Sequence, residues 1–216
     1  MIMIPDDPDN LKDLRRRMVA QQLYRRDIRD ERVLKIMTEL PRHHFIPPEN
    51  RSLAYHDQPV SIGLGQTISQ PYIVALMTEK LNLSPEHEVL EIGTGCGYQT
   101  AILANLCRCV YTIEVLPDLA HFGRANLEAL AIDNLSYHIG NGRLGWPESR
   151  TFDRILIAAA SDDVPSALVN QLAESGQMIL PLGDTHGQKL IRLEKQGSSF
   201  REEFICYCRF VRLVHD

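Results

Sequence analysis

The feature that most constrains this chain is a glycine-rich turn over residues 93–97, where every second residue is glycine. An apolar, strand-like run over residues 89–92 precedes the turn, and a helix-forming segment over residues 100–106 follows it. Glycine lets the backbone approach a ligand closely and adopt conformations that other residues disfavour. A strand, a glycine-rich turn and a helix N-terminus together predict a nucleotide-type binding corner.

From residue 84 onward, strand and helix patterns alternate along the chain. The predicted strands span residues 89–92, 110–115, 135–139, 152–158, 177–181, 190–195 and 204–213. The predicted helices span residues 11–26, 31–40, 71–81, 100–106, 118–130 and 165–172, the last of them ended by Gly176. This alternation predicts an α/β fold with a mostly parallel, doubly wound sheet. The last two strands are joined by a short turn, so the sheet should have an antiparallel edge.

The length of 216 residues suits a single domain. We expect residues 1–10 to be a disordered tail, because they are acidic and interrupted by proline. Residues 11–83 should supply N-terminal helices and a loop on the substrate side. Residues 84–216 should form the α/β core that binds the cofactor.

The bulk composition excludes several classes of function. The net charge is −5 and the pI about 5.9, which disfavours binding to nucleic acid. No apolar run approaches the ~20 residues of a membrane span, and the N-terminus lacks the pattern of a signal peptide, so we expect a cytoplasmic monomer. The cysteine pairs have C-x-C spacing, and His43-His44 has no third ligand at a suitable spacing, so no metal is predicted.

Nearby residues indicate which class of ligand the glycine corner binds. A dinucleotide corner has the pattern G-x-G-x-x-G, but Tyr98 occupies the position of the last glycine. Glu114 ends the next strand about 20 residues on, where a carboxylate can accept hydrogen bonds from both ribose hydroxyls. Asn141 follows the third strand and could reach the edge of an adenine. A nucleoside without phosphates that carries an amino-acid portion fits, and S-adenosylmethionine has this composition.

A second candidate for part of the functional site is the stretch over residues 66–71, Gln-Thr-Ile-Ser-Gln-Pro. Pro71 suits the first position of a helix, so Ser69 or Gln70 should lie at that helix's N-terminus. Free N–H groups and the helix dipole favour an anion there. Ordinary helix capping is an equally good interpretation of this local pattern.

The chain resembles the protein-L-isoaspartate O-methyltransferases. The resemblance rests on residues 29–34, 41–47, 62–72, 89–100, 142–147 and 152–153, and it runs from about Leu14 to about Val211. It implies a Rossmann-like class I S-adenosylmethionine-dependent methyltransferase fold. It also implies transfer of a methyl group from S-adenosylmethionine to the free carboxylate of L-isoaspartyl residues in damaged proteins, which begins their repair.

The same resemblance implies the roles of individual residues. Ser69 falls at the position of the active-site serine. The cofactor-binding positions are Thr67, Ile68, Glu91, Gly93, Thr94, Gly95, Gly97, Gln99, Glu114, Asn141 and Gly142. The expected partners are isoaspartyl proteins and peptides.

Three departures from the family pattern occur, one at the adenine position and two near the substrate side that leave the acceptor open. Asn141 replaces the usual Asp, residues 158–161 read Ala-Ala-Ala-Ser in place of a Thr-Ala-Ala-Pro-like run, and Arg212 replaces a proline. An alternative is therefore a related O-methyltransferase acting on a different carboxylate, in a modified peptide or a small molecule. A binding module without turnover, an NAD oxidoreductase and a nucleic-acid methyltransferase are less consistent with the motifs.

Overall fold

The computed structural model describes residues 7–213, and the N-terminal part of this range is helical. Helix α1 spans Asp9–Met18 and continues as a π-helical turn over Val19–Tyr24. The remaining helices are α2 (Glu31–Glu39), α3 (Pro71–Lys80), α4 (Tyr98–Ala104), α5 (Pro117–Ala129) and α6 (Ser166–Asn170). None of the helices described is long and apolar enough to cross a membrane.

The prediction of a disordered tail is wrong for residues 7–10. The guanidinium of Arg15 donates to Asp7 at 2.7 Å, and only 5% and 6% of the two side chains is exposed. Helix α1 then begins at Asp9, directly after Pro8. Residues 1–6, the rest of the predicted tail, lie outside the described residues, as do residues 214–216.

Seven strands form the central sheet, in the order β5-β4-β3-β6-β7-β8-β9. The strands are β3 (Glu88–Ile92), β4 (Cys109–Glu114), β5 (Leu135–Ile139), β6 (Phe152–Ile157), β7 (Leu172–Gly183), β8 (Gln188–Gln196) and β9 (Ser199–Cys208). Strands β5, β4, β3, β6 and β7 pair in parallel, whereas β8 and β9 add antiparallel. The predicted doubly wound sheet with an antiparallel edge is confirmed.

The core lies on both faces of this sheet. Successive side chains of a strand point to opposite faces, so neighbouring residues of central strand β3 enter different clusters. Val89 belongs to an apolar cluster that also contains Met18 and Leu23 from the N-terminal helices. Leu90 belongs to the other cluster, together with Leu168 of α6. The N-terminal helices therefore share a core with the sheet.

Two boundaries near the C-terminus differ from the prediction. Helix α6 ends at Asn170, and Gly176, predicted to stop this helix, lies inside β7 instead. The pairing of β7 with β6 jumps from Leu172 to Gln177, so the intervening residues form a bulge with Ser175 at φ 60°. The last strand ends at Cys208, so the predicted strand over residues 204–213 is wrong beyond that residue.

A small hairpin stands apart from the main sheet and leads into α3. Strands β1 (Val60–Gly63) and β2 (Gln66–Ile68) pair antiparallel through a two-residue turn. Both turn residues, Leu64 and Gly65, have positive φ, as the tight turns of short hairpins require. Pro71 occupies the first turn of α3, as predicted. Ser69 therefore lies between the hairpin and this helix.

Candidate active site

A cavity opens where the carboxyl ends of β3 and β4 face the β1–β2 hairpin. Ligands of open α/β sheets bind at this edge of the sheet. Nine of the predicted site residues line the cavity, namely Thr67, Ile68, Ser69, Gly93, Thr94, Gly95, Gln99, Glu114 and Gly142. Glu91, Gly97 and Asn141 are not among the lining residues.

The glycine turn needs its glycines for two different reasons. Gly93, Gly95 and Gly97 have φ values of 96°, 56° and 89°, a region that other residues rarely adopt. Gly93 and Gly95 line the cavity, whereas a side chain at Gly97 would meet the backbone oxygen of Gly123 at 3.0 Å. The third glycine thus allows close packing against α5, and the first two leave the cavity floor open.

Gly123 on α5 is a contributor that the sequence interpretation missed. A Cβ at this position would lie 2.5 Å from the backbone oxygen of Gly95. Only glycine lets α5 come this close to the turn. The available signal was a glycine inside a helical pattern, which usually has a packing reason.

Glu114 ties the end of β4 to the glycine turn. Only 6% of this residue is exposed. Its Oε2 accepts from the backbone N–H of Gly95 at 2.9 Å, and its Oε1 accepts from that of Leu116 at 3.1 Å. A carboxylate has about four acceptor sites, so both oxygens keep capacity for further donors such as ribose hydroxyls.

Glu91 is fully buried behind the turn and does not reach the cavity, which corrects its expected place among the ligand-contacting residues. Its Oε2 accepts from Thr100 at 2.5 Å and from Thr112 at 2.7 Å. Its Oε1 has no hydrogen-bond partner among the described residues. Burial raises the pKa of this carboxyl to about 8, so Glu91 is mostly protonated at neutral pH.

A chain of hydroxyl groups connects Glu91 to the cavity wall. Thr112 donates to Glu91, and its Oγ1 lies 2.6 Å from that of Thr94, which lines the cavity. Gln99 also lines the cavity and donates to Thr78 of α3 at 2.9 Å. These contacts hold the turn and the start of α4 in place.

Ser69 is positioned through its backbone. Arg42 is fully buried, and its guanidinium donates to the backbone oxygen of Ser69 at 2.8 Å and to that of Ala54 at 2.8 Å. The contact to Ser69 uses its main chain, so it leaves the hydroxyl available. Ser69 lines both the main cavity and an adjoining cleft. The position of Ser69 agrees with the sequence prediction, whereas the role of Arg42 was not foreseen.

Asn141 lies beside the cavity rather than on its wall. Its side-chain oxygen accepts from the backbone N–H of Arg143 at 2.9 Å and caps the short helical turn Gly142–Leu144. The neighbouring Gly142 does line the cavity, and a Cβ there would lie 2.3 Å from Ile92. The side-chain oxygen that would accept from adenine therefore already accepts one hydrogen bond, and its second lone pair stays available.

The segment after β9 forms a wall between the cavity and the adjoining cleft. Phe210 and Val211 line the main cavity, the adjoining cleft and a third depression. Val211 accepts from the backbone N–H of Ala160 at 2.8 Å, and Leu213 donates to the backbone oxygen of Ala160 at 2.8 Å. We call residues 210–213 the dividing segment. Its place depends on long-range pairing that no local pattern reveals.

Two of the family departures meet here, because Arg212 lies within this segment and residues 158–161 lie beside it. Arg212 forms an ion pair with Asp162, and both side chains are about half exposed. Ser161 accepts from Arg143 at 2.7 Å, and the same guanidinium pairs with Asp163. Ala158 lines both the main cavity and the adjoining cleft. The replaced residues thus reach the cofactor cavity, because Ala158, Ala159 and Arg212 line it, and of these three only Ala158 also lines the adjoining cleft.

Comparison with known proteins decides the family. The model of the protein-L-isoaspartate(D-aspartate) O-methyltransferase family matches residues 14–216. This chain belongs to that family. Within it, the chain is 50% identical over 200 residues to the protein-L-isoaspartate O-methyltransferase of Picosynechococcus sp., covering 93% of this chain and 90% of that one. It is 52% identical over 202 residues to the enzyme of Methanoregula boonei, covering 94% and 93%.

A solved member of the isoaspartate methyltransferase family supports the fold. The Plasmodium falciparum protein assigned to this family, in complex with S-adenosyl-L-homocysteine, superposes with a TM-score of 0.80 at 27% identity. The alignment covers 93% of this chain and 98% of that one. The Rossmann-like class I methyltransferase fold predicted from the sequence is confirmed.

The residues at this chain's cavity fit the cofactor of the isoaspartate methyltransferases. Gly93 and Gly95 expose backbone to the cavity, and the Glu114 carboxylate lies at its edge with spare acceptor capacity. Met77, Leu116 and Leu119 supply apolar surface for a flat ring. In the part of the chain that the structure describes, no group of three potential ligands could hold a metal ion.

Proposed function

We propose that this chain methylates the free α-carboxylate of L-isoaspartyl residues in damaged proteins, using S-adenosylmethionine. Membership of the isoaspartate methyltransferase family supports the reaction, and the cavity beside Ser69 supports the placing of the reaction centre. The single observation that carries the proposal is that Ser69 lines both the cofactor cavity and the adjoining cleft. An acceptor in the cleft and a donor in the cavity would meet at this residue.

The reaction needs orientation more than proton transfer. S-adenosylmethionine supplies, when bound, a sulfonium methyl group as the electrophile. A free α-carboxylate has a pKa of ~3–4, so the acceptor is already ionised at neutral pH and needs no general base. The chain has to align two charged reactants and exclude water from between them.

We assign the orienting role to the hydroxyl of Ser69. Arg42 fixes the main chain of Ser69 from the buried side. The hydroxyl can therefore donate to an acceptor carboxylate from a fixed position. The carboxylate loses its charge as the methyl group transfers. One neutral donor therefore suits the reaction better than a cation, which would hold the ground state too strongly.

The cofactor roles are proposed for the residues that line the cavity. Glu114 would accept from the ribose hydroxyls, and Gly93, Gly95 and Gly142 would leave room for the nucleoside. Glu91 and Gly97 would act without contacting the cofactor. Glu91 would hold the glycine turn in place, and Gly97 would let the turn pack closely against α5. We propose that Asn141 lies next to the adenine position, while its side-chain oxygen caps the helical turn Gly142–Leu144.

The charge and the packing of the chain bear on its domain organisation and its partners. We propose that residues 7–213 form one methyltransferase domain, because residues of the N-terminal helices and of β3 share one apolar cluster. The net charge of −5 supports an enzyme that acts without nucleic acid. We further propose that it works in the cytoplasm as a monomer.

A paired peptide assay tests the function. The purified chain is given S-adenosylmethionine with an isoaspartyl peptide or with its normal aspartyl twin, and methyl ester formation is measured. We expect methylation of the isoaspartyl peptide and at most trace methylation of the twin. Equal activity on both peptides, or activity on neither, would contradict the proposal and favour an O-methyltransferase for another carboxylate.

A further inference from the structure

Two exposed aromatic side chains lie side by side on the edge strand β9. Tyr207 is 76% exposed and Phe204 is 49% exposed, although large apolar side chains are normally covered. Their ring centroids are 5.2 Å apart at an interplanar angle of 62°, a favourable edge-to-face pairing. We call these two residues the aromatic pair. A contiguous apolar patch of this kind marks a surface that binds something.

A β-bulge creates the aromatic pair. Residues three apart on a regular strand point to opposite faces, so Phe204 and Tyr207 should not meet. The pairing of β9 with β8 skips Ile205, because Ile191 pairs with Phe204 while Leu190 pairs with Cys206. This extra residue turns Tyr207 onto the face of Phe204. Bulges on edge strands commonly serve to re-aim a side chain.

The aromatic pair reaches the cleft that adjoins the cofactor cavity through Tyr207, whereas Phe204 lies outside the lining of this cleft. Tyr207 lines the cleft that adjoins the cofactor cavity, and Ser69 and Thr67 line its inner end. The same two inner residues line the cofactor cavity. A polypeptide whose reacting carboxylate reaches Ser69 can therefore extend along the cleft toward Tyr207.

We infer that the aromatic pair binds an apolar side chain of the acceptor polypeptide, close in sequence to the isoaspartyl residue. This inference rests on the proposed function and names a substrate preference within it. An extended chain rises about 3.3 Å per residue, so a cleft of this kind spans neighbouring residues of the acceptor. Apolar side chains are accessible in unfolded or damaged segments and are buried in intact folds, so the pair would favour damaged proteins.

The experiment uses isoaspartyl hexapeptides that share one polar sequence. In each peptide a single leucine replaces a polar residue at a different position around the isoaspartyl residue. We expect the wild-type chain to have a KM about tenfold lower for the peptide whose leucine reaches the aromatic pair. Tyr207→Ser and Phe204→Ser should remove that preference, so that the leucine peptides and the all-polar peptide have the same KM, and should leave the affinity for S-adenosylmethionine unchanged.

The matched control is Phe200→Ser, which removes another exposed aromatic residue of β9 that is outside the cleft lining. This variant should keep the leucine preference. The inference is overturned if the wild-type chain shows no preference among the leucine positions, or if the preference survives in both aromatic variants. It is also overturned if Tyr207→Ser only converts a dimer to a monomer in sedimentation, with peptide selectivity intact.

Peptide binding separates this inference from the proposed function. Anisotropy of fluorescently labelled peptides, in the presence of S-adenosylhomocysteine, reports the surface without any methyl transfer. If no peptide is methylated but Tyr207→Ser still abolishes the leucine preference in binding, the proposed function fails and the inference stands. If methylation is normal and binding shows no preference, the inference fails and the function stands.

Discussion

Gln188 holds Phe210 by both of its backbone polar groups. The side-chain Nε2 of Gln188 donates to the backbone oxygen of Phe210 at 3.2 Å, and the Phe210 N–H donates to Oε1 at 2.6 Å. Gln188 is only 6% exposed, so the contact is largely protected from water. The amide thereby fixes the start of the dividing segment, which borders the cofactor cavity and the acceptor cleft.

Replacing Gln188 with Met should loosen the dividing segment while keeping the side-chain volume. Both hydrogen bonds to Phe210 are lost, so we expect the KM for an isoaspartyl peptide to rise about tenfold, with a smaller change in cofactor affinity. Steady-state kinetics with varied peptide measures this. Gln196→Met, at the exposed end of the same strand, is the control. Equal losses in both variants, or a lower kcat with unchanged KM, would argue against a positioning role.

Ser69→Ala should lower turnover without changing the cofactor site. Loss of one hydrogen bond to a charged acceptor costs about 1.5–3 kcal/mol, a decrease in kcat/KM of roughly 10- to 150-fold. The contact from Arg42 goes to the backbone oxygen, so the loop should stay in place. Ser61→Ala, on the hairpin that precedes Ser69, is the control and should retain full activity. A parallel loss of S-adenosylmethionine affinity in calorimetry would disprove the assigned role.

Glu114→Ala should weaken cofactor binding by on the order of 1–3 kcal/mol, because charged hydrogen bonds to the ribose are removed. Glu114→Gln keeps one acceptor oxygen and should lie between the wild type and the alanine variant. Isothermal titration calorimetry with S-adenosylhomocysteine measures both. Glu128→Ala, on an exposed position of α5, controls for the loss of one negative charge. Unchanged affinity in Glu114→Ala would refute the ribose contact.

Glu91 should make the stability of the folded chain depend on pH. Its pKa is raised from 4.5 to about 8 in the folded state, so the folded chain keeps a proton that the unfolded chain releases. The stabilising contribution is full below about pH 4.5 and is lost as the pH rises toward 8, at up to about 1.4 kcal/mol per unit. Glu91→Gln removes this titration.

Urea unfolding of the wild type and of Glu91→Gln at several values between pH 5 and pH 8 tests this. The unfolding free energy of Glu91→Gln should increase relative to that of the wild type as the pH rises. Glu86→Gln, at an exposed position just before β3, is the control and should follow the wild type. A constant difference across the range would show that Glu91 is ionised in the folded state.

The features that sequence patterns captured are local ones. The glycine turn, the proline at the start of α3 and the carboxylate that ends β4 each depend on neighbouring residues, and each lies where predicted. The parallel pairing of the first five strands of the sheet follows from the alternation of strands and helices. The role of Glu114 as a ribose ligand could therefore be predicted from the sequence alone.

The features that were missed depend on contacts between distant residues. Gln188 lies 22 residues from Phe210, and Arg42 lies 27 residues from Ser69. Glu91 stands next to the glycine turn in sequence, yet its side chain points away from the cavity and into the core. The bulge in β7 placed Gly176 inside a strand, because tertiary pairing outweighed its local tendency to end a helix.

The dividing segment has a consequence for how this enzyme can change. Phe210 and Val211 line the proposed donor cavity on one side and the proposed acceptor cleft on the other. A substitution here alters two affinities at once, so neither can be tuned alone at these positions. Selection for a new acceptor is freer farther along the cleft, where a changed side chain leaves the donor undisturbed.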